Sequence, residues 1–227
     1  MTNTKDNILN AAERLFAERG YEATSLRTIT TAAGVNLAAV NYHFQSKDQL
    51  LRALFTRGMQ RLNRKRLALL DSYEAEYRNK PIPPEKLARA LIEPMLDVTG
   101  NHSKGSKVFG MLLGRMYASP QGPLDDILVS DIEKFSERFK TAIRRTLPEI
   151  PLEDLFWRSF FAIGSTAHTL ISSHLIEIIS HGLCDPDDRE AMLERLIAFI
   201  VAGLIAPAGS GIKPKKAGQT GKYRRGR

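Results

Sequence analysis

Residues 25–47 of this chain hold two short runs of apolar residues at helical spacing, separated by a turn of only a few residues. Gly34 ends the first run, and glycine is the residue that adopts the left-handed conformation at a helix end without steric cost. Asn36 then offers a side-chain oxygen to cap a second helix over residues 37–43. Two helices joined by so short a turn predict a helix-turn-helix unit, in which the second helix enters the major groove of DNA.

Amphipathic helices are predicted on both sides of this unit. The helix before it ends at Gly20 and carries an apolar stripe that packs across the helix-turn-helix. Either Thr24 or Ser25 caps the first helix of the unit, since both side chains accept hydrogen bonds from first-turn N–H groups. The sequence of residues 46–49 fits a capping box, so a fourth helix begins there, and we expect it to pass residue 70.

The N-terminal part of the chain resembles the DNA-binding domain of TetR-type bacterial transcription regulators. The resemblance rests on ILNAAERLFAERGYEATSLRTIT and on the ending that contains Tyr42-His43-Phe44 and Ser46-Lys47. A weaker resemblance, to fatty-acid-responsive regulators of the PsrA type, rests on VNLAAVNYHF together with SPQGPL and LFWR. Membership implies a regulator, by default a repressor, that binds a double-stranded DNA operator and is controlled by a small-molecule effector.

The resemblance also places ten residues against DNA. The recognition helix begins with small apolar side chains, which leaves Asn41 and Arg27 for hydrogen-bonded contacts to bases. Phosphate contacts, which fix register without reading sequence, are expected from Tyr42, His43 and Lys47. The full set is Thr24, Ser25, Arg27, Asn36, Leu37, Ala39, Asn41, Tyr42, His43 and Lys47.

Charge is distributed unevenly along the chain. Residues 1–70 carry 11 Lys and Arg against 5 Asp and Glu, whereas residues 71–206 carry 15 against 20. The segment 207–227 has 7 basic and no acidic side chains. This pattern favours nucleic-acid binding by the N-terminal region. It also leaves an alternative hypothesis, a general nucleic-acid-binding or architectural protein that acts through the basic tail.

Helical periodicity continues through the rest of the chain without a convincing strand, so we predict an all-α fold of about nine helices. Pro94 should kink its helix or displace the start of that helix. The later helices are predicted at about 84–99, 104–118, 123–146, 152–180 and 187–206. The predicted domains are a helix-turn-helix domain at 1–46, a helical effector-binding and dimerisation domain at 47–206 with helix 4 linking the two, and a flexible basic tail at 207–227.

The helical body is rich in apolar and aromatic side chains, most of which must form an ordinary core. The TetR-type resemblance implies an enclosed effector, in a pocket that is mostly apolar with a few polar anchors. Arg115 is a candidate anchor for an anionic head group, and a surface arginine is the alternative. The PsrA-type resemblance implies a long-chain fatty acid or its acyl-CoA. The predicted pocket residues are Phe109, Met111, Leu112, Arg115, Met116, Phe135, Phe139, Trp157, Phe161 and His168.

Each of the last two predicted helices carries a long apolar stripe. One layer of neighbours does not cover both stripes, so we predict a four-helix bundle with the same helices of a second copy. Such a homodimer presents two recognition helices to a palindromic operator. The stripes contain Leu155, Phe156, Ile163, Leu170, Ile171, Leu175, Ile178 and Ile179 on the first helix, and Leu193, Leu196, Ile197, Ile200, Val201 and Leu204 on the second.

The sequence contains no pattern typical of an enzyme. Residues 164–167 do not form a nucleophile elbow, because the second glycine is missing and no strand precedes them. His168, His174 and His181 lack the Cys or carboxylate partners of a metal site. We expect no cofactor and no metal. Cys184 is the only cysteine, no leader opens the chain and no apolar run is long enough to span a membrane, which predicts a cytoplasmic protein.

Overall fold

The computed structural model describes residues 4–78, 80–99, 104–118 and 125–207, and every regular element in these ranges is an α-helix. The all-α fold class is therefore confirmed, and the later helices begin and end within two residues of their predicted bounds. The tail expected to be flexible lies outside the described residues from position 208 onward. The helices are α1 Thr4–Arg19, α2 Leu26–Ala33, α3 Leu37–Phe44, α4 Lys47–Tyr77, α5 Pro84–Thr99, α6 Lys104–Ala118, α7 Asp125–Thr146, α8 Leu152–Ile179 and α9 Arg189–Ile205.

Side-chain caps fix the starts of the helices in the N-terminal region. The Ser25 hydroxyl accepts a hydrogen bond from the N–H of Thr28 at 3.1 Å, so Ser25 rather than Thr24 caps α2. The Asn36 side chain caps α3 in the same way, at 2.8 Å from the N–H of Ala39. Gly34 has φ 66° and ψ 34°, the left-handed conformation predicted for the turn between the two helices.

One apolar core joins the helix-turn-helix to the body. It contains Val40 and Phe44 from α3, the inner face of α4, and Phe109 and Leu112 from α6. Gly58 lets α4 and α6 approach closely within this core, because a Cβ atom at this position would lie 2.1 Å from Cδ2 of Phe109. The long helix α4 is therefore packed against both regions along its length.

Ion pairs reinforce the same junction. Glu13 of α1 pairs with Arg57 and Arg61 of α4, and the Arg61 Nη2 to Glu13 Oε1 distance is 2.8 Å. Gly105, in the first turn of α6, approaches this cluster so closely that a Cβ atom there would lie 2.7 Å from Oε1 of Glu13. Helices α1, α4 and α6 thus meet around one carboxylate.

The inner face of α9 packs on α5, which corrects the prediction that a second copy covers it. All six predicted stripe residues of α9, from Leu193 to Leu204, are buried in a core with Ala88, Ile92 and Leu96 of α5. Sequence periodicity identified this face as apolar but not its neighbour. The partner on this face is a helix of the same chain.

Pro94 lies inside α5, which nevertheless begins at Pro84 as predicted and continues to Thr99. Proline has no N–H, so the carbonyl of Ala90 lacks its usual donor four residues later. Nε of Arg66, a buried side chain on α4, donates to the neighbouring carbonyl of Leu91 at 2.9 Å. This contact ties α4 to α5 beside the proline.

Candidate functional site

The outer face of α3 is accessible, as a DNA-reading helix requires. Val40 and Phe44 are buried on the inner face, whereas Asn36, Leu37 and Asn41 are exposed. Tyr42 lies on the same outer face and is the most exposed of its large apolar side chains, with 84 % of its surface exposed. An exposed aromatic side chain next to an exposed amide has the chemistry for one phosphate and one base contact.

Thr24 does not belong to this surface, which corrects its assignment as a DNA contact. Its side chain is 1 % exposed, and its hydroxyl donates to the carbonyl of Gly20 at 2.8 Å. Its N–H donates to the carbonyl of Tyr21 at 3.2 Å. Both donors are therefore used inside the loop between α1 and α2, and Thr24 holds that loop in place for Ser25.

The residues expected to contact phosphate are held by aromatic neighbours at the ends of α3 and α4. The rings of Tyr42 and His43 meet edge to face, with centroids 5.1 Å apart. Nζ of Lys47 lies 4.0 Å from the ring centroid of Tyr21, whose hydroxyl donates to Asp48. Because Lys47 is the first residue of α4, its ammonium group adds to the partial positive charge at a helix N-terminus, where phosphate binds favourably.

Two depressions with basic side chains flank the helix-turn-helix and were missed from the sequence. One lies along α1 and α2 and is lined by Arg14, Arg19 and Arg27. The other contains His43 together with Lys5 and Arg52. The excess of basic residues before position 70 was the available signal, but it does not show which side chains share a surface.

A cavity of about 410 Å³ lies between α5, α7 and α8 in the body. Its lining is mainly apolar and includes Leu91, Phe135, Phe139, Leu155, Phe156 and Phe160. Its polar groups are Ser136, Glu137, Lys140 and Ser159. An apolar wall with a few polar groups suits a small, largely hydrophobic ligand.

Of the eight predicted pocket residues whose side chains the structure describes, only Phe135 and Phe139 line this cavity. Phe109 and Leu112 are instead buried in the core that joins the helix-turn-helix to the body. Trp157, Phe161 and His168 are exposed on another face of α8, and Met111 is exposed on α6. The side chains of Arg115 and Met116 lie outside the part of the chain that the structure describes.

The cavity-lining residues of α8 follow a helical stripe that the sequence already contained. Leu152, Leu155, Phe156, Ser159 and Ile163 recur at intervals of three and four residues, which places them on one face of the helix. The sequence analysis instead assigned Leu155, Phe156 and Ile163 to the dimer contact, and it selected the aromatic residues Trp157 and Phe161 for the pocket. Aromatic residues one position away on a helix point about 100° apart, so the two sets face different neighbours.

Exposed apolar side chains are concentrated on the outer faces of α8 and α9, in two groups on α8 that are separated by residues 162–170. Among the described residues, thirteen of the sixteen large apolar side chains that are exposed lie between positions 152 and 205. Soluble monomers rarely expose an apolar surface of this extent. We call this the α8–α9 face, and its members are Phe156, Trp157, Phe160, Phe161, Ile171, Leu175, Ile176, Ile178, Ile179, Phe199 and Ile205.

Comparison with known protein families assigns both parts of the chain. Residues 8–54 match the family described as bacterial regulatory proteins, tetR family, and residues 89–203 match the tetracyclin repressor-like C-terminal domain. The chain belongs to the TetR family. It is therefore a transcription regulator with a DNA-binding helix-turn-helix domain, as its sequence predicted.

Known TetR-family proteins resemble the chain to different extents. The transcriptional repressor AcnR of Corynebacterium glutamicum is 42 % identical over 53 residues, which cover 23 % of this chain and 28 % of AcnR. The curated match thus spans less than a third of that relative's length. The fatty acid degradation regulator FadR from Bacillus halodurans shares the fold, with a TM-score of 0.58, 14 % identity, and coverage of 92 % of this chain and 99 % of FadR. AibR, solved with isovaleryl coenzyme A and operator DNA, has a TM-score of 0.53, 23 % identity, and coverage of 88 % and 97 %.

No described helix combines the length and apolarity that a membrane span requires. Within the same residues, no group of three His, Cys, Asp or Glu side chains is arranged to hold a metal ion.

Proposed function

We propose that this protein is a ligand-responsive transcriptional repressor that binds a palindromic DNA operator as a homodimer and is released from it by a small, mostly apolar effector. The observation that carries the proposal is the placement of α5. Its residues Met95 and Val98 belong to the core that supports the recognition helix, and its Leu91 lines the body cavity. A ligand in the cavity therefore contacts a helix that packs on α4 and α6, and both of these helices contact α1 of the DNA-binding region.

DNA recognition in this proposal uses the exposed face of the helix-turn-helix. Asn41 and Arg27 carry the hydrogen-bonded base contacts, because Asn pairs with adenine and Arg with guanine. Leu37 and Ala39 offer apolar contacts, which suit a thymine methyl group. Phosphates are held by Ser25 and Asn36, the exposed N-cap residues of α2 and α3, and by Tyr42, His43 and Lys47.

The homodimer forms through the α8–α9 face in this proposal. TetR-family regulators bind operator DNA as dimers. Burial of this face against the same face of a second protomer is an isologous contact, which gives the twofold symmetry that a palindromic operator requires. The outer face of α9 also exposes Ala198 and Ala202, which allow a helix of the partner to approach closely.

The proposed effector is a long-chain fatty acid or its acyl-CoA. The names of the structural neighbours FadR and AibR connect those proteins with fatty acid degradation and with isovaleryl coenzyme A. In this chain the cavity lies within the range of about 300–1,000 Å³ typical of ligand sites. Lys140 is the basic side chain among the described residues that line the cavity, so we assign it to an anionic head group, which would compete with Glu137 as its partner. Arg115 stays a second candidate.

The effector acts only through its different affinities for the two protomer arrangements, one that fits the operator and one that does not. Occupancy of the cavity shifts α5 relative to α7 and α8 in this mechanism. Because α5 also packs in the core beneath the helix-turn-helix, that shift changes the separation of the two recognition helices.

The DNA-binding part of the proposal is tested by titrating duplex DNA with Lys47→Ala and Tyr42→Ala at several salt concentrations. Each variant should weaken binding to operator and random DNA alike, and loss of the Lys47 charge should reduce the slope of log affinity against log salt by about 1. The matched control is Arg64→Ala, which removes one exposed charge from α4 outside the proposed surface. A Lys47→Ala slope equal to that of the control contradicts the assignment.

A further inference from the structure

We propose that the effector cavity is completed by the second protomer, so that effector binding and dimer formation strengthen each other. This inference rests on the proposed function, because it takes the cavity between α5, α7 and α8 as the effector site. The observation behind it is a pair of aromatic rings, Phe156 and Phe160, that belong both to the cavity lining and to the α8–α9 face.

In a single protomer these two rings leave the cavity open. Phe156 is 59 % exposed and Phe160 is 67 % exposed, although both line the cavity. Ligand sites bury about 70–90 % or more of a ligand of drug size. The other cavity-lining aromatics, Phe135 and Phe139, are buried. The open side of the cavity is therefore the side formed by α8.

The exposed apolar side chains around this opening indicate what kind of partner covers the opening. Trp157 and Phe161 lie next to the opening on α8 and stack on each other, with ring centroids 5.8 Å apart. Further exposed apolar side chains lie beyond residues 162–170, from Ile171 to Ile179 on α8, which is kinked at Ser172, and at Phe199 on α9. A second copy of the chain that covers this surface also covers Phe156 and Phe160. The occupant is thus a second protomer, and its α8–α9 face becomes the missing wall of the cavity.

Thermodynamic linkage makes the consequence quantitative. If the dimer binds the effector more tightly than the isolated protomer does by some factor, the effector strengthens the dimer by the same factor for each occupied site. The rings that contact the ligand are the rings that contact the partner. A ligand that packs against these rings therefore acts on the dimer contact directly, without a separate path through the protein.

The test compares ligand binding by dimeric and monomeric forms of the full chain. The probe is cis-parinaric acid, a fatty acid whose own fluorescence rises in an apolar site. The variant Ile179→Glu/Phe199→Glu places two charges on the α8–α9 face at positions that do not line the cavity and that are 71 % and 67 % exposed. These charges stay hydrated in the protomer and are desolvated only in a dimer, so the fold is retained while association is lost.

We expect the double variant to sediment as a monomer and to bind parinarate at least tenfold more weakly than the native dimer. The matched control is Gln60→Glu/Ser72→Glu, which adds the same charge on exposed positions of α4 and should leave both mass and binding unchanged. A monomeric double variant that binds parinarate with native affinity overturns the inference. A double variant that remains a dimer overturns it as well, because the α8–α9 face is then not the contact.

A cavity-filling variant separates failure of this inference from failure of the proposed effector site. Ser159→Trp introduces a large ring among the lining residues and should abolish parinarate binding while the protein stays dimeric. If Ser159→Trp binds the probe normally, the cavity is not the effector site and both proposals are wrong. If Ser159→Trp loses binding but the monomeric variant keeps it, the effector site stands and the role of the second protomer is wrong.

Discussion

Gly58 offers the sharpest perturbation of the junction between the helix-turn-helix and the body. A Cβ atom at this position would lie 2.1 Å from Cδ2 and 2.6 Å from Cε2 of Phe109. Carbon atoms in van der Waals contact lie about 3.5 Å apart or more, so in Gly58→Ala the Phe109 ring would have to move by about 1.4 Å. Phe109 is fully buried and packs against Phe55 with ring centroids 5.7 Å apart in a tilted arrangement, which leaves it little room to move.

The expected magnitude follows from two opposing effects. Overpacking a dense core costs about 1–3 kcal/mol, whereas alanine in place of glycine inside a helix gains about 1 kcal/mol. Because the Gly58 contact is far shorter than van der Waals distance, the upper part of the overpacking range applies. We expect Gly58→Ala to lower the free energy of unfolding by about 1–2 kcal/mol.

The assay is urea unfolding followed by far-ultraviolet circular dichroism at one fixed protein concentration, since dimer formation makes stability depend on concentration. Gly114→Ala in α6 is the control, because a Cβ atom there meets nothing within 4 Å, and it should stabilise the protein. In Gly58→Ala/Phe109→Leu the smaller side chain should recover about 1 kcal/mol relative to the sum of the single changes. A Gly58→Ala protein at least as stable as the native one would refute this packing of α4 on α6.

Three further predictions concern the body and the tail. Arg158→Ala should lower the free energy of unfolding by about 2–3 kcal/mol, because Nη1 of Arg158 donates to the carbonyls of Leu204 at 2.6 Å and Ala206 at 2.7 Å at the end of α9. In urea unfolding, Arg158→Met, which keeps the aliphatic packing, should lose nearly as much stability as Arg158→Ala. An Arg158→Met protein as stable as the native one would contradict the role of these hydrogen bonds. Partial burial raises the pKa of Asp97, but hydrogen bonds from Lys65 and Arg189 outweigh it and hold the pKa below the ordinary value of 3.8. The stability that Asp97 provides is therefore present above that value and is lost as the pH falls through the lower, folded-state pKa. Asp97→Asn should reduce the loss of unfolding free energy at acid pH, and an unchanged dependence of that free energy on pH would contradict this. Deletion of residues 207–227 should leave most of the operator affinity intact, and loss of operator specificity in a gel-shift titration would instead favour the architectural alternative.

The elements and caps of the helix-turn-helix could be predicted from sequence because their signals are local. Gly34, Asn36 and Ser46 act on groups within three or four residues, so their identity alone predicts where helices begin and end. The choice between Thr24 and Ser25 was different. It depends on the carbonyl of Gly20 at the end of another helix, which sequence periodicity does not locate.

Tertiary neighbours account for the remaining differences in the body. The stripe on α9 was correctly identified as apolar, but only the fold shows that α5 covers it. Phe109 was assigned to the effector pocket because it is large and apolar, whereas its contact with Gly58 places it in the junction core. On α8, Phe156 and Phe160 line the cavity whereas Trp157 and Phe161 do not, and composition does not distinguish the two pairs.

The most direct test of the account is selection of binding sites by the full-length protein from a pool of duplexes with randomised sequence. The account predicts enrichment of an inverted repeat whose half-sites lie about one helical turn or a multiple of it apart, since two recognition helices are related by a twofold axis. Weaker enrichment should follow from Asn41→Ala, which removes a proposed base contact. A pool without enrichment, or with a single asymmetric site, would contradict a homodimer that reads a palindromic operator.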